Sequence, residues 1–382
     1  MGSAYELVCY EPGLKGQVIE LQSHLWSPSV ALNTAYFEWK YERNPYVDAP
    51  LIYLAMHNGR AVGMRGFFGM QWEGGNPTQK SIALYADDLV IAPAHRNRGL
   101  IPKIMAAAFE DLAKRGYQYA FNLSAGPITL LSSLATGWRS VGSMQPMCQR
   151  SWRVALRSGR DRLITRFPVL SRGINGPFSR WSQKRQPSLS DIDTDEVRRS
   201  NMHTSWIQFE HVPRCAAMAE LVERIGGCGR IRHVRDREYF DWRFQNPLSQ
   251  YRFLFCAKTR LEGYLVLQEY TSAYADKEVV NIVDWEATGV AVQRELLQAA
   301  MNLTADRRLI IWSISLPRPA TAVLDEKGFK LVRSPESATQ QRHALLVRSI
   351  RDEGPDGDWL FAGQPLLDMK SWDLRMLYSM HG

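Results

Sequence analysis

The residues with the clearest chemical meaning lie where an apolar strand pattern gives way to a helix pattern. The segment reads VIAPAHRNRGLIPKIM over residues 90–105. Arg96 and Arg98 supply positive charge that suits phosphate oxygens. Gly99 lets the backbone approach a ligand closely, and Pro102 suits the first helical turn, where a missing N–H costs little. Because that turn presents free N–H groups and a partial positive charge, the segment predicts a loop that binds a pyrophosphate.

Strand and helix patterns on both sides position this loop. The predicted elements are, in order, strands at 51–57, 61–72 and 81–92, a helix at 101–115, a strand at 117–124 and a helix at 127–137. Glycine ends both helices, which is typical of helix C-termini. The loop therefore joins a long strand to an amphipathic helix that would cover one face of the sheet.

The chain contains an internal repeat. Residues 36–45 read YFEWKYERNP and residues 239–247 read YFDWRFQNP, and a similar strand-turn pattern follows each copy. This self-similarity predicts a duplicated domain. Trp39 and Trp242 are predicted mainly to pack a helix end against a sheet, with a substrate pocket as the alternative.

Composition is that of an ordinary globular protein, with 45% apolar and 23% charged residues. The longest apolar runs fall short of the roughly 18 residues that a membrane span needs. The N-terminus lacks a secretory pattern, and five scattered cysteines indicate a reducing compartment, so we expect a cytoplasmic protein. The spacing of His203, His211, Cys215 and Cys228 matches no standard zinc pattern, so we expect no metal site.

The net charge of +8 favours anionic partners, and much of it lies between the two copies. Arg150 to Arg185 contains ten basic residues and one acidic residue. The composition predicts an N-terminal domain at 1–150, a basic linker at 151–200 and a C-terminal domain at 201–382. The basic segment could pack on its neighbours, lie on an anionic membrane surface or dock on an acidic protein.

The strand–loop–helix order resembles the acyl-CoA motif of the GNAT (GCN5-related N-acetyltransferase) superfamily. That motif reads Arg/Gln-x-x-Gly-x-Gly/Ala, and here Ile101 stands at its last position. The later LATGW at 134–138 also fits, so the resemblance covers about residues 5–150. It implies acetyl-CoA or another acyl-CoA as co-substrate. The residues implied in binding it are Leu89, Val90, Ile91, Arg96, Asn97, Arg98, Gly99, Leu100, Ile101 and Asn122.

The resemblance also implies a catalytic arrangement in which an amine attacks an acyl thioester directly. A base must remove a proton from the amine, and a strand N–H polarises the thioester carbonyl. The base position falls on Asp87, with Tyr85 as second choice, and strand alternation puts both on one face with Asp88 on the other. The acidic pair could instead mark a bulge or a solvated strand end. Ser133 stands where the family often has a tyrosine general acid; Ser132, Ser133 or Tyr119 could take that role, or the thiolate could leave without a protein acid.

The second copy resembles the same fold without the loop. Where the loop should lie, the chain reads ATGVAVQRELL, with one glycine and no arginine pair. We therefore expect an α/β protein of bacterial type with two tandem GNAT-like domains, each a mixed, mostly antiparallel sheet flanked by helices. The second domain would have lost cofactor binding and would shape the cleft or replace a dimer partner, which favours a monomer.

The predicted function is acyl-CoA-dependent N-acyl transfer, most simply of acetyl, to the primary amine of a small molecule such as an amino sugar or amino acid. Three alternatives stay open: an acyl carrier protein as donor, a non-catalytic module that docks on an anionic membrane or an acidic partner through the basic linker, and CoA as a structural ligand only. No helix-turn-helix, zinc-finger or RNA-binding signature is present, so we expect no nucleic-acid partner.

Overall fold

The computed structural model describes residues 5–125, 127–150, 206–271, 278–332, 344–351 and 359–379. The predicted basic linker at 151–200, and with it the docking hypotheses for Arg150 to Arg185, lies outside these residues apart from Arg150. The described chain forms two large sheets flanked by helices. No helix within the described ranges is long and apolar enough to cross a membrane.

The first sheet is built mainly from the N-terminal copy. Its strands are β1 Glu6–Cys9, β2 Leu51–His57, β3 Arg60–Gly74, β4 Gln79–Ile91, β5 Tyr119–Ala125 and β6 Arg139–Ser143. The accompanying helices are α1 Lys15–Gln22, α2 Val30–Phe37, α3 Leu100–Lys114 and α4 Pro127–Leu134. β4 and β5 are parallel, and the neighbouring pairs β1–β2, β2–β3 and β3–β4 are antiparallel. These elements follow the predicted order closely.

The second sheet is built mainly from the C-terminal copy. Its strands are β7 Pro146–Arg150, β8 Ile207–Glu210, β10 Ser249–Ala257, β11 Leu261–Tyr270, β12 Val279–Ala287, β13 Arg308–Trp312 and β14 Lys330–Leu331. Its helices are α5 Cys215–Ile225, α6 Arg237–Arg243, α7 Val290–Leu303 and α8 Arg318–Glu326. Three short pieces complete the set: β9 Arg232–His233, which pairs with β3, and the hairpin β16 Leu360–Phe361 with β17 Gln364–Pro365.

The two sheets exchange strands. β7 follows β6 in the chain but pairs with β13 and β14 in the second sheet. Conversely, β15 Ala344–Ser349 comes from the C-terminal copy and lies between β5 and β6 in the first sheet. Both sheets are mixed and mostly antiparallel, which confirms the predicted fold class. The predicted boundaries at 150 and 200 stay predictions.

The repeated tryptophans pack against each other rather than each on its own sheet. The rings of Trp39 and Trp242 stack with centroids 4.9 Å apart and planes 11° apart. Trp39 Nε1 donates to the Trp242 carbonyl at 2.7 Å, and Trp242 Nε1 donates to the Trp39 carbonyl at 2.9 Å. Such reciprocal contacts are what an approximate two-fold relation between two copies produces. These residues therefore serve packing, but they join the two copies instead of anchoring each helix end on a sheet as predicted.

Helix α3 is held on the first sheet by one apolar stripe. Leu100, Ile104, Ala108 and Leu112 are all buried and recur every four residues, the spacing of one helical face. Burying a leucine or isoleucine contributes about 1.5–3 kcal/mol. Because Leu100 is both the first helical residue and part of the stripe, packing fixes where the preceding loop ends.

Candidate active site

A β-bulge interrupts β4 at the two consecutive aspartates. Met64 pairs with Val90, but the next pair is Gly66 with Asp87, so Arg65 lies opposite both Asp88 and Leu89. Asp88 has φ of 50°, in the left-handed region that L-residues rarely adopt. A bulge re-aims side chains, and here it turns Asp88 towards the same side as Asp87. Strand alternation, which predicted Asp88 on the opposite face, is wrong at this point.

Lys40 joins the two aspartates. Its ammonium lies 2.7 Å from Asp87 Oδ2 and 2.9 Å from Asp88 Oδ1, and the side chain is fully buried. Lys40 belongs to a π-helical turn, Glu38–Glu42, that follows α2; such turns are frequent at functional sites. Four aromatic rings lie 5.0–5.4 Å from the ammonium: those of Trp26, Tyr36, Tyr41 and Phe68.

Three neutral side chains also donate hydrogen bonds to Asp88. Trp26 Nε1 donates to Oδ1 at 3.0 Å, and Gln22 Nε2 and Tyr41 Oη donate to Oδ2 at 2.9 and 2.8 Å. Burial and the charges of Asp88 and Asp87 raise the pKa of Tyr41 well above its usual value, so its hydroxyl stays protonated as a donor. Tyr41 packs directly over Gly66, where a Cβ would lie 2.8 Å from its Cζ. These hydrogen bonds therefore hold the Asp88 carboxylate in one orientation.

Sequence reasoning missed Lys40 and Tyr41, although both lie in the repeat segment YFEWKY. The signal that could have found them is a lysine followed directly by a tyrosine within a segment rich in aromatic residues. A buried lysine needs a carboxylate partner, and Asp87 and Asp88 are acidic residues in a strand that reads as buried.

The two predicted bases lie on one face of β4, as expected. Tyr85 stacks on Phe68 with centroids 4.9 Å apart, and its hydroxyl oxygen accepts from the Leu123 N–H at 3.2 Å. Asp87, two residues further, binds Lys40 on this same face. The Asp87 carboxylate is thus ion-paired with the buried Lys40 ammonium.

β4 and β5 separate immediately after Tyr85. Their parallel pairing consists of Leu84 with Ala120 and Tyr85 with Phe121. β5 then continues along β15, and no strand among the described residues covers the outer edge of β4 at 87–91. Leu89, Val90 and Ile91, predicted as cofactor-binding residues, form this uncovered edge. The backbone here can pair with an extended ligand arm.

Asn122 bridges β4 and β5 at the point where the two strands separate. Its Nδ2 donates to the Ala86 carbonyl at 2.9 Å and so connects β5 to β4. This contact gives Asn122 a structural role at the mouth of the slot, by which we mean the gap between β4 and β5 beyond Tyr85. Its predicted contact with a cofactor stays a prediction.

The predicted anion loop follows β4 directly and is open to solvent. Arg96, Asn97, Arg98 and Gly99 are all exposed. Gly99 has φ of 67° and a Cβ there would meet nothing within 4 Å, so the glycine is required by backbone conformation and not by crowding. It precedes Leu100 at the start of α3, and no side chain caps that helix. Free N–H groups and two exposed arginines thus lie at the end of β4, where Arg96 Nε also donates to the Ile91 carbonyl at 3.2 Å.

The match to known families is confined to this half of the chain. The model of the acetyltransferase (GNAT) family matches residues 18–126, a range that includes the bulge, the slot and the loop. The chain carries a GNAT acetyltransferase domain. A search of curated protein sequences gives no significant match.

Solved structures agree with this assignment and extend the fold to both copies. A GCN5-related N-acetyltransferase from Anabaena variabilis superposes with a TM-score of 0.56 at 12% identity, over 91% of this chain and 73% of that one. A tandem GNAT protein from the clavulanic acid biosynthesis pathway gives 0.50 at 14% identity, over 92% of this chain and 100% of that one. The two sheets therefore correspond to tandem domains of GNAT fold, and the family match over residues 18–126 supports an N-acyltransferase, in a family that generally uses acyl-CoA.

Ser133, predicted as general acid of the GNAT domain, is not brought to the aspartates. It is buried on α4, and none of the described contacts joins its hydroxyl to Asp87 or Tyr85. Its carbonyl accepts hydrogen bonds from Thr136 and Trp138, which end the helix. Within the described ranges, no group of three acidic, histidine or cysteine side chains is arranged to hold a metal ion.

The second domain, which shares the GNAT fold, has a different connection at the corresponding position. Only Thr288 and Gly289 separate β12 from α7, compared with eight residues, 92–99, between β4 and α3. Thr288 donates through Oγ1 to Glu262 Oε2 at 2.8 Å and through its N–H to the Glu262 carbonyl at 2.9 Å. Hydrogen bonds from Thr288 and Arg260 lower the pKa of Glu262. The short connection is thus tied to β11 through Glu262, which is paired with Arg260.

The lysine of the first domain is also replaced in the second. Arg243 corresponds to Lys40 in the repeat, and it donates to the carbonyls of Leu377 and Ser379 at 2.9 and 2.8 Å. The buried carboxylate of β12, Asp284, instead binds Arg235 at 2.7 Å. The two domains therefore share a fold but not a site.

Proposed function

We propose that the N-terminal GNAT domain transfers an acyl group, acetyl in the simplest case, from acyl-CoA to the primary amine of a small molecule such as an amino sugar or amino acid. The observation that carries this proposal is the alignment of the uncovered β4 edge with the exposed loop at its end. An extended pantetheine arm suits the edge at 87–91, and a pyrophosphate suits Arg96, Arg98 and the start of α3.

The proposed chemistry is direct attack. The amine nitrogen forms a bond to the thioester carbon, the carbon–sulfur bond breaks, and CoA leaves as a thiolate that takes up the proton lost by the amine. A backbone N–H of the β4 edge, in the segment 89–91, would polarise the carbonyl. Asp87 is the proposed first proton acceptor, with Tyr85 beside it. Because no described contact brings Ser133 to these residues, the proposal assigns it no role in catalysis.

Calorimetric titration of acetyl-CoA tests the cofactor half of this proposal. We expect micromolar binding to the wild type and at least tenfold weaker binding to Arg96→Ala, about 1.4 kcal/mol. Lys114→Ala is the matched control, because it removes one exposed positive charge at the far end of the same helix α3. Equal losses in both variants would show a general charge effect. An absence of binding to the wild type would refute CoA as co-substrate.

Transfer itself requires a second measurement. Free thiol release in the presence of a panel of amino sugars and amino acids should depend on the amine and should be reduced at least tenfold in Asp87→Asn. CoA binding without thiol release on any amine would favour CoA as a structural ligand.

A further inference from the structure

Arg65 is a buried cation without a short-range oxygen partner. It is 2% exposed, and its Nε is sealed from solvent with no hydrogen-bond acceptor. Among the described residues its guanidinium forms no hydrogen bond and no ion pair within 4 Å. The other buried arginines differ in this respect, since each has an oxygen partner; they are Arg232, Arg235, Arg243, Arg252, Arg307 and Arg375.

Burying the Arg65 guanidinium without a short-range oxygen partner costs free energy. A guanidinium carries five N–H donors, and burying an unpaired ion costs several kcal/mol. Burial lowers the pKa of Arg65 from its usual value, although the charges of Asp87 and Asp88 act in the opposite direction. Its one described close contact is with the ring of Phe67, at 5.6 Å. An anionic ligand would offset this cost.

The carboxylates nearby do not fill this role. Both oxygens of Asp88 have partners, and Asp87 Oδ2 binds Lys40. The formal charges of Lys40, Arg65, Asp87 and Asp88 sum to zero, so Arg65 balances the cluster at long range. No short hydrogen bond satisfies its guanidinium, however, and these donors remain available.

Arg65 lies next to the slot. It is the single β3 residue opposite Asp88 and Leu89 at the bulge, and neighbouring strands are about 4.8 Å apart. The far edge of β4 at this level is the uncovered one. Apart from Tyr41, the groups whose charges act on Arg65 belong to β4: Asp87, Asp88 and Tyr85. Arg65 therefore lies one strand spacing from the segment of β4 where the acyl thioester and the amine would meet.

We propose that Arg65 binds a carboxylate carried by one of the two reacting ligands. This inference rests on the proposed acyl transfer. The planar guanidinium matches a carboxylate in a two-point contact. The carboxylate has two possible sources: the free end of a dicarboxylic acyl group on CoA, such as succinyl, or the α-carboxylate of an amino-acid acceptor.

The donor source is tested by calorimetry with CoA, acetyl-CoA and succinyl-CoA on the wild type, Arg65→Met and Arg60→Met. Arg60 is the control because it begins the same strand with its side chain 73% exposed. If the donor carries the carboxylate, succinyl-CoA binds the wild type and Arg60→Met at least tenfold more tightly than acetyl-CoA, about 1.4 kcal/mol. Arg65→Met removes that preference and leaves the affinity for CoA unchanged.

The acceptor source is tested by kcat/KM with acetyl-CoA for amino acids and for the corresponding amino-acid amides. If the acceptor carries the carboxylate, the acids are preferred at least tenfold, and Arg65→Met abolishes the preference. The proposal is overturned if the wild type shows no preference in either experiment, or if a preference persists in Arg65→Met. Normal binding of CoA with no carboxylate preference overturns the role of Arg65 alone. Failure of the wild type to bind CoA overturns the proposed function together with it.

Discussion

Replacing Lys40 by methionine should destabilise the protein by about 3–5 kcal/mol, the range for breaking a buried ion pair from one side. Lys40 is the only described cation within 4 Å of Asp87 and Asp88, and it is fully buried. Methionine fills a similar volume, so the loss is mainly that of the charge. Asp88 keeps three neutral donors, and both carboxylates lose the ammonium that neutralises them.

The same region contains a matched control. Lys15 also binds two carboxylates, Glu38 and Glu42, at 3.1 and 3.0 Å, but its side chain is 28% exposed. Exposed ion pairs contribute about 0–1 kcal/mol each, so the loss of two in Lys15→Met should cost no more than about 2 kcal/mol. Urea unfolding followed by fluorescence measures both variants. Similar shifts of the midpoint for Lys40→Met and Lys15→Met would refute the argument that burial decides the energy.

Three further substitutions test separate parts of the structure. Gly66→Ala should destabilise the fold by about 1–3 kcal/mol in urea unfolding, because the added Cβ displaces Tyr41 from its position over residue 66. Gly99→Ala should cost about 1–2 kcal/mol, since φ is 67°, and should weaken acetyl-CoA binding in calorimetry. Burial lowers the pKa of His233 to about 3, below its ordinary 6.5. The unfolded chain therefore binds a proton that the folded one does not between these values, and the free energy of unfolding should fall by about 2 kcal/mol from pH 6.5 to 5; His233→Gln should remove that part of the decline.

Each of these three predictions has a control variant or an outcome that would contradict it. Gly13→Ala and Gly289→Ala add a methyl group where nothing lies within 4 Å and φ is not in the left-handed region. Both should leave urea midpoints and acetyl-CoA affinity nearly unchanged. An equal effect at Gly13 and Gly66 would contradict the contact with Tyr41. An unchanged pH profile in His233→Gln would assign the acid sensitivity to other groups.

The loop and the strand order could be predicted because their signals are local. Arg96, Arg98 and Gly99 are adjacent in sequence, and the helix that follows has its own periodic apolar face. The bulge at Asp88 could not be predicted by alternation, since it depends on how β3 pairs with β4. The partners of Asp87 could not be predicted either, because Lys40 is 47 residues away and reaches it through a π-helical turn.

The exchange of β7 and β15 between the sheets could not be predicted from local sequence patterns either. A short apolar strand has the same sequence pattern whichever sheet it enters, and only non-local pairing decides between the two. The repeat indicated two similar domains, and it did not indicate that each would contain a strand of the other.

This exchange leads to a prediction about the N-terminal domain as a separate fragment. Residues 1–150 contain the loop, the bulge and the slot but lack β15, which lies between β5 and β6 in the intact sheet. Leu345, Leu346 and Val347 of β15 are all fully buried. At about 1.5–3 kcal/mol each, their loss removes about 5–9 kcal/mol, comparable to the 5–15 kcal/mol that typically stabilises a whole domain.

The fragment 1–150 should therefore fail to unfold cooperatively in urea, and it should aggregate through the exposed edges of β5 and β6. Joining residues 344–351 to its C-terminus through a flexible linker restores the missing strand and should recover a cooperative transition. A control fusion with Leu345 and Val347 replaced by aspartate should not recover it. If the fragment 1–150 alone unfolds cooperatively and binds acetyl-CoA, then β15 is dispensable, and the two GNAT domains are independent units whose strand exchange contributes little to either fold.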